Sequence, residues 1–128
     1  MNKYALAARI TVERNAQKMT PDMSVEWQLT MNEIFPNQMS SRKKGCPRGA
    51  FLGLCEEGLI KGIPAGDYGL KPASVNKYYA VKAADLLLSG EKLGSKSLWA
   101  RVTDPEKKHN SQMDIVLELH RHGYLFRS

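Results

Sequence analysis

Apolar residues recur along this chain at helical spacing, and no stretch sustains the alternation of period two that marks a half-buried strand. Tyr4, Ala7, Ala8, Thr11 and Val12 share one face of a helix predicted over residues 3–18, with Asn2 as its cap. Thr20-Pro21-Asp22 then supplies a cap, a proline suited to a first helical turn and an acidic residue for the positive helix end. The second helix turns Met23, Trp27, Met31 and Ile34 inward and stops at Phe35-Pro36. Residues 36–46 read as a polar, basic loop. A third helix restarts at Pro47, carries Phe51, Leu54 and Cys55, and ends at Gly58, a glycine placed for the left-handed C-terminal position.

Glycines and prolines crowd residues 61–73 and mark a linker. Ser74 caps a fourth helix with Tyr78, Val81, Lys82, Asp85 and Leu88 set against Ala83, Ala84 and Leu87. A short fifth helix holds Leu98, Trp99 and Val102 and closes at Asp104-Pro105. Ser111, followed three residues later by Asp114, has the spacing of a capping box for a sixth helix. That helix presents Ile115, Val116, Leu119 and His122 and stops at Gly123. The predicted class is all-α, with short pairing possible between Leu59-Ile60 and Tyr124-Leu125-Phe126.

The two halves echo each other. Asn2-Lys3-Tyr4-Ala5 matches Asn76-Lys77-Tyr78-Tyr79-Ala80, Trp27 matches Trp99, and the helices ending in Gly58 and Gly123 each lead into an apolar pair. The expectation is one domain over 1–128 made of two similar three-helix units, 3–60 and 74–126, joined by the 61–73 linker. The spacing drifts, from 74 residues at the tyrosines to 72 at the tryptophans and 65 at the glycines, so insertions must fall in loops. Glycine-capped, leucine-rich helices also resemble one another by convergence.

Length is sufficient for one buried core. A hydrophobic content of 42% and charged content of 25% are those of a globular chain. No apolar run reaches the roughly 18 residues of a membrane span, and Arg9, Glu13 and Arg14 interrupt any leader-like segment. These features suggest a cytoplasmic protein with no membrane partner. Cys46 and Cys55 lie about 13 Å apart along helix at roughly 1.5 Å per residue, too far for a disulfide, so both are expected as thiols.

A net charge of +6 points to anionic partners. The strongest local signal is Arg42-Lys43-Lys44-Gly45-Cys46-Pro47-Arg48-Gly49, a basic run entering a helix start, where unpaired N–H groups attract an anion. Arg42, Lys43, Lys44, Gly45, Arg48 and Gly49, with Lys61 nearby in sequence, form the candidate anion site. The run does not match the phosphate loop G-x-x-x-x-G-K-[ST], and a solvated basic loop explains it equally well. Cys46 beside those cations has the surroundings of a reactive thiol, but no base is near in sequence. His120 and His122, two apart on a helix, point away from each other and do not make a metal site. No motif calls for a cofactor.

The block from Lys43 through Gly58 to Pro64, with Asn110-Ser111-Gln112-Met113-Asp114, resembles a bacterial family of small uncharacterised proteins. The resemblance extends over most of the chain and implies no activity. A looser likeness to helix-turn-helix domains would make the third helix of each half the reading helix. Phe51, Leu52, Leu54 and Cys55 leave the first of these without a polar face. Three functional readings stay open. One is a non-enzymatic binding module contacting an anion or nucleic acid through the basic loop. A second is a small enzyme using Lys44 and Arg48 for an anionic substrate, Cys46 as nucleophile and Asp67 or Tyr68 as proton donor. The third is a structural protein that binds another protein or forms homo-oligomers.

Overall fold

The computed structural model describes residues 2–104 and 106–127. Among them are seven helices: α1 (Lys3–Asn15), α2 (Met23–Ile34), α3 (Met39–Arg42), α4 (Gly45–Glu56), α5 (Val75–Leu88), α6 (Ser95–Val102) and α7 (Gln112–Arg121). The all-α class and all six expected helices are present; the seventh, α3, is a single turn within the basic loop. Pro105, expected to close the fifth helix, lies outside the described residues. Among the described residues, no helix is long and apolar enough to cross a membrane.

The helix starts follow from local chemistry. The Asn2 side chain accepts from the N–H groups of Tyr4 and Ala5, Asp22 from Ser24 and Val25, and Ser74 from Lys77. The last helix departs from its expected cap. Ser111 occupies the N-cap at φ 71° but makes no capping bond with its side chain. Its hydroxyl accepts from Asn2 Nδ2 at 3.1 Å, and His109 Nε2 accepts the Met113 N–H at 3.0 Å instead.

The core gathers the inner faces of α1, α2, α5 and α6 around α4 and α7. Trp27 stacks on Phe51 with centroids 4.8 Å apart. Trp99 lies across Tyr79 and donates its indole N–H to the Lys107 carbonyl at 2.8 Å. Both tryptophans are therefore core anchors. On α5 the buried face is Tyr79, Ala80, Ala83, Ala84 and Leu87, while Tyr78 points to solvent. Of the two sets of positions read from the sequence, Ala83, Ala84 and Leu87 face the core, and Tyr78, the tyrosine of the echo, lies outside it. His122 is likewise outside the buried face of α7 and sits 3.2 Å from Glu118.

The close packing of α5 on α4 has a specific cause. A Cβ built on Gly53 would stand 2.6 Å from Lys77 Cβ and 2.7 Å from its Cα; one on Gly49 would stand 2.9 Å from Asn76 Cβ. The two bare glycines, one turn apart, let the backbone of α5 lie directly against α4. Residues Pro47 and Gly49–Cys55 are buried, so α4 lies inside the bundle and has no face for a DNA groove.

α4 and α7 end in the same way. Gly58 and Gly123 have φ of 70° and 75°, and Leu59 and Tyr124 donate back to Leu54 and Leu119. The extended segments that leave them meet in an antiparallel bridge, Ile60 with Leu125, through Lys61 N–H to the Tyr124 carbonyl and Phe126 N–H to the Leu59 carbonyl. The bridge thus joins corresponding positions of the echo. Similarity of the halves as units does not follow from it: α5 packs along α7, whereas the main partners of α1 are α2 and α7, not α4. Residues 61–73 are no slack connector, because Ile63 and Tyr68 are buried in the core.

Candidate anion-binding cleft

Four helix starts lie at one end of the molecule. Asn2 before α1 reaches Ser111 before α7; Gln112 Nε2 of α7 donates to Asn76 Oδ1 of α5 at 3.0 Å; Asn110 Nδ2 lies 4.0 Å from Cys46 Sγ of α4. Helices α1, α4, α5 and α7 therefore bring their positive ends together. Of the cations on or beside these starts, Lys77 pairs with Glu56 and Glu57, whereas Lys3, Lys43, Lys44, Arg48 and Lys71 make no ion pair with a carboxylate among the described residues. The carboxylates Glu56, Glu57, Glu13, Glu118 and Asp85 are instead held by Lys77, Arg9, Arg121 and Arg127.

Between the starts of α4 and α5 lies a cleft of about 440 Å³, lined by Gly45, Arg48 and Gly49 on one wall and Lys71, Ser74, Val75 and Asn76 on the other, with Gly69 and Leu70 along its edge. The first N–H groups of a helix have no acceptor inside it. Lys44, at the N-cap of α4, makes no side-chain capping bond. The N–H groups of Gly45, Val75 and Asn76 find no protein acceptor among the described residues. Arg48 is half-buried and Lys71 exposed. Two helix starts with unpaired N–H groups, a guanidinium and an ammonium thus share one concave surface, a combination suited to a phosphate-sized anion.

The sequence-derived residues divide around this cleft. Gly45, Arg48 and Gly49 line it. Gly49 does so through its wall, because its missing Cβ accommodates Asn76 rather than a ligand. Lys43 and Lys44 are exposed and do not line it, and Lys44 Nζ lies 6.0 Å from the ring centroid of Tyr4 on α1. Arg42 is turned toward α2, its guanidinium 3.4 Å from Asn32 Oδ1. Lys61 follows the far end of α4, about 18 Å away along a helix of this length, and is not brought to the cleft. Lys71, Ser74, Val75 and Asn76 join the site without having been expected there. Their sequence signal is the same as that of the basic loop, a helix start, but Ser74 reads first as a cap.

Glu56 fixes the edge of the cleft. Its carboxylate accepts the N–H groups of Tyr68 at 2.8 Å and Leu70 at 3.4 Å and the Lys77 ammonium at 3.0 Å. Burial pushes its pKa up, but these three donors outweigh burial and hold it below the ordinary glutamate value. The loop carrying Gly69 to Lys71 is therefore pinned to the end of α4 by one charged side chain.

The catalytic candidates do not meet. Asp67 Oδ1 accepts the Gly69 N–H at 2.8 Å in a turn, Tyr68 donates its hydroxyl to the Pro64 carbonyl at 2.6 Å, and both line a separate hollow with Pro21, Asp22 and Ser24. Cys46 lies beside Asn110 and lines neither space. Both cysteines are free thiols, and burial pushes that of Cys55 far up. Among the described residues no group of three His, Cys, Asp or Glu is placed to hold a metal ion.

No curated protein and no solved structure matches the chain. The family resemblance of the sequence is nonetheless definite: over residues 1–126 the chain matches DUF6979, a family of unknown function, and it belongs to that family.

Proposed function

We propose that this chain is a non-catalytic binding module that takes a phosphate-bearing anion in the cleft between α4 and α5. One observation carries the reading: two helix starts with unpaired N–H groups share a concave surface with Arg48 and Lys71, which have no carboxylate partner among the described residues. The anion supplies what the protein does not, acceptors for the exposed N–H groups and counter-charge for the two cations. The absence of a shared pocket for Cys46, Asp67 and Tyr68 favours binding over the enzymatic reading.

The test is direct binding of inorganic polyphosphate and of labelled oligonucleotides, followed by fluorescence anisotropy or calorimetry between about 50 and 200 mM salt. Affinity is expected to fall along a straight line in log–log form as counterions are released. Arg48→Ala and Lys71→Ala each weaken binding by about tenfold, as for lost hydrogen bonds between charged groups, and each flattens the salt slope by about one. Lys61→Ala, at the far end of α4, leaves both unchanged. Binding indifferent to salt, or equal in Arg48→Ala and the parent, overturns the proposal and returns attention to a protein partner.

A further inference from the structure

Tyr78 has no structural task equal to its size. It is 56% exposed on α5, one turn beyond the cleft, beside Val75 at 52%. Its ring meets Tyr79 edge-on, with centroids 6.0 Å apart, and the ammonium of Lys82, at 5.7 Å from the centroid. It lines a second hollow of about 510 Å³ with Pro72, Ser74, Lys77, Val81 and Lys82. Ser74 lines the anion cleft as well, so the two hollows adjoin at the start of α5. Glu57 and Asp85 also border the second hollow, but each is engaged, Glu57 by Lys77 at 3.5 Å and Asp85 by Arg127 at 2.6 Å.

We infer that the two adjoining hollows together bind single-stranded nucleic acid, with a base stacked on Tyr78 and the neighbouring phosphates on Arg48, Lys71 and Lys82. The inference rests on the anion reading of the cleft and adds the ligand's second chemical half. A bare polyanion has no use for an exposed aromatic ring beside a cationic cleft, whereas every base has a π-face. Successive phosphates of a strand on either side of that base meet Lys82 on one side and the two helix starts on the other. A duplex keeps its bases stacked and cannot offer one to Tyr78. Charge complementarity favours this occupant: the chain carries +6, and Arg48 and Lys71 bring no carboxylate partner into the cleft.

The experiment compares three probes on the intact protein: a labelled oligothymidylate of about ten nucleotides, the same backbone without bases, and the corresponding duplex. The parent is expected to bind the oligothymidylate at least about tenfold more tightly than the abasic strand or the duplex. Tyr78→Ala removes that margin by lowering oligothymidylate affinity about tenfold while leaving abasic binding as it was, and Tyr78→Phe restores it. Because Tyr78 is exposed, both variants are expected to keep the parent's thermal unfolding curve, which is recorded alongside. Equal affinity for the abasic strand, or no loss in Tyr78→Ala, overturns the stacking inference and leaves the anion reading standing. Failure of all three probes to bind overturns the inference, and binding of polyphosphate under the same conditions then shows that the anion reading survives it.

Discussion

Three glycines of α4 look alike in sequence and differ in what surrounds them. Gly53 faces the backbone of Lys77, which cannot yield, so a methyl group there forces the helices apart. Overpacking of this kind costs about 1–3 kcal/mol, against roughly 1 kcal/mol gained from replacing glycine by alanine in a helix. Gly53→Ala is therefore expected to lower the urea midpoint of unfolding. Gly49→Ala meets one Cβ at 2.9 Å and is expected to have a smaller effect of the same sign. Gly45→Ala meets nothing within 4 Å and is expected to leave stability level or slightly raised. If Gly53→Ala proves as stable as Gly45→Ala, the close approach of α4 to α5 is not maintained by bare backbone. The sequence led to Gly45 and Gly49 as a phosphate cradle; the structure leaves only Gly45 free for that role. Nothing along the chain reveals which residue of another helix will stand above a glycine.

At the scale of the element, α7 depends on a titratable cap. His109 Nε2 accepts the Met113 N–H, which requires that nitrogen to be unprotonated, and the ring rests 5.0 Å from Trp99. Burial pushes the His109 pKa below its ordinary value of 6.5, with Asp114 opposing. The unfolded chain therefore binds a proton at higher pH than the folded one. Stability from this group is complete above about pH 6.5 and is lost as pH falls toward the lowered folded value. The parent is expected to lose more stability between about pH 7.5 and pH 5.5 than His109→Gln, which keeps an acceptor but cannot titrate; chemical denaturation at the two pH values measures the difference. Equal losses would remove His109 from the account of the helix start. The start of α7 was legible in the sequence, but its cap was not. Ser111 and Asp114 have capping-box spacing, yet Asn2, more than a hundred positions away, claims the serine hydroxyl. The ends at Gly58 and Gly123 were fully legible, because a left-handed glycine after an apolar helix is a local decision. A competing partner from across the fold is not.

On the scale of the whole molecule, the echo in the sequence marks two lengths of chain that complete each other rather than two that stand alone. The most extensive helix interfaces, α4 with α5 and α1 with α7, both cross between the halves. So do the Ile60–Leu125 bridge, the pair of Arg9 with buried Glu118 at 2.9 Å, and the Glu56–Lys77 pair. A fragment ending at Gly66 leaves the α4 surface around Gly49 and Gly53 without α5 and the inner face of α1 without α7. Half the chain is also close to the size at which a single core becomes marginal. Residues 1–66 and 67–128, made separately, are expected to show little fixed tertiary structure by near-ultraviolet circular dichroism, with Trp27 and Trp99 as reporters. Mixed in equal amounts, they are expected to recover the spectrum of the intact chain. A cut after Gly66 breaks one peptide bond in an exposed turn and leaves the facing surfaces of the two fragments complementary. The proposed anion cleft gives this reassembly a binding readout, since Arg48 comes from one fragment and Lys71, Val75 and Asn76 from the other. Polyphosphate should therefore bind the mixture and neither part. A first fragment that folds by itself and binds as the intact chain does would show that α4 alone makes the site and that α5 merely covers it.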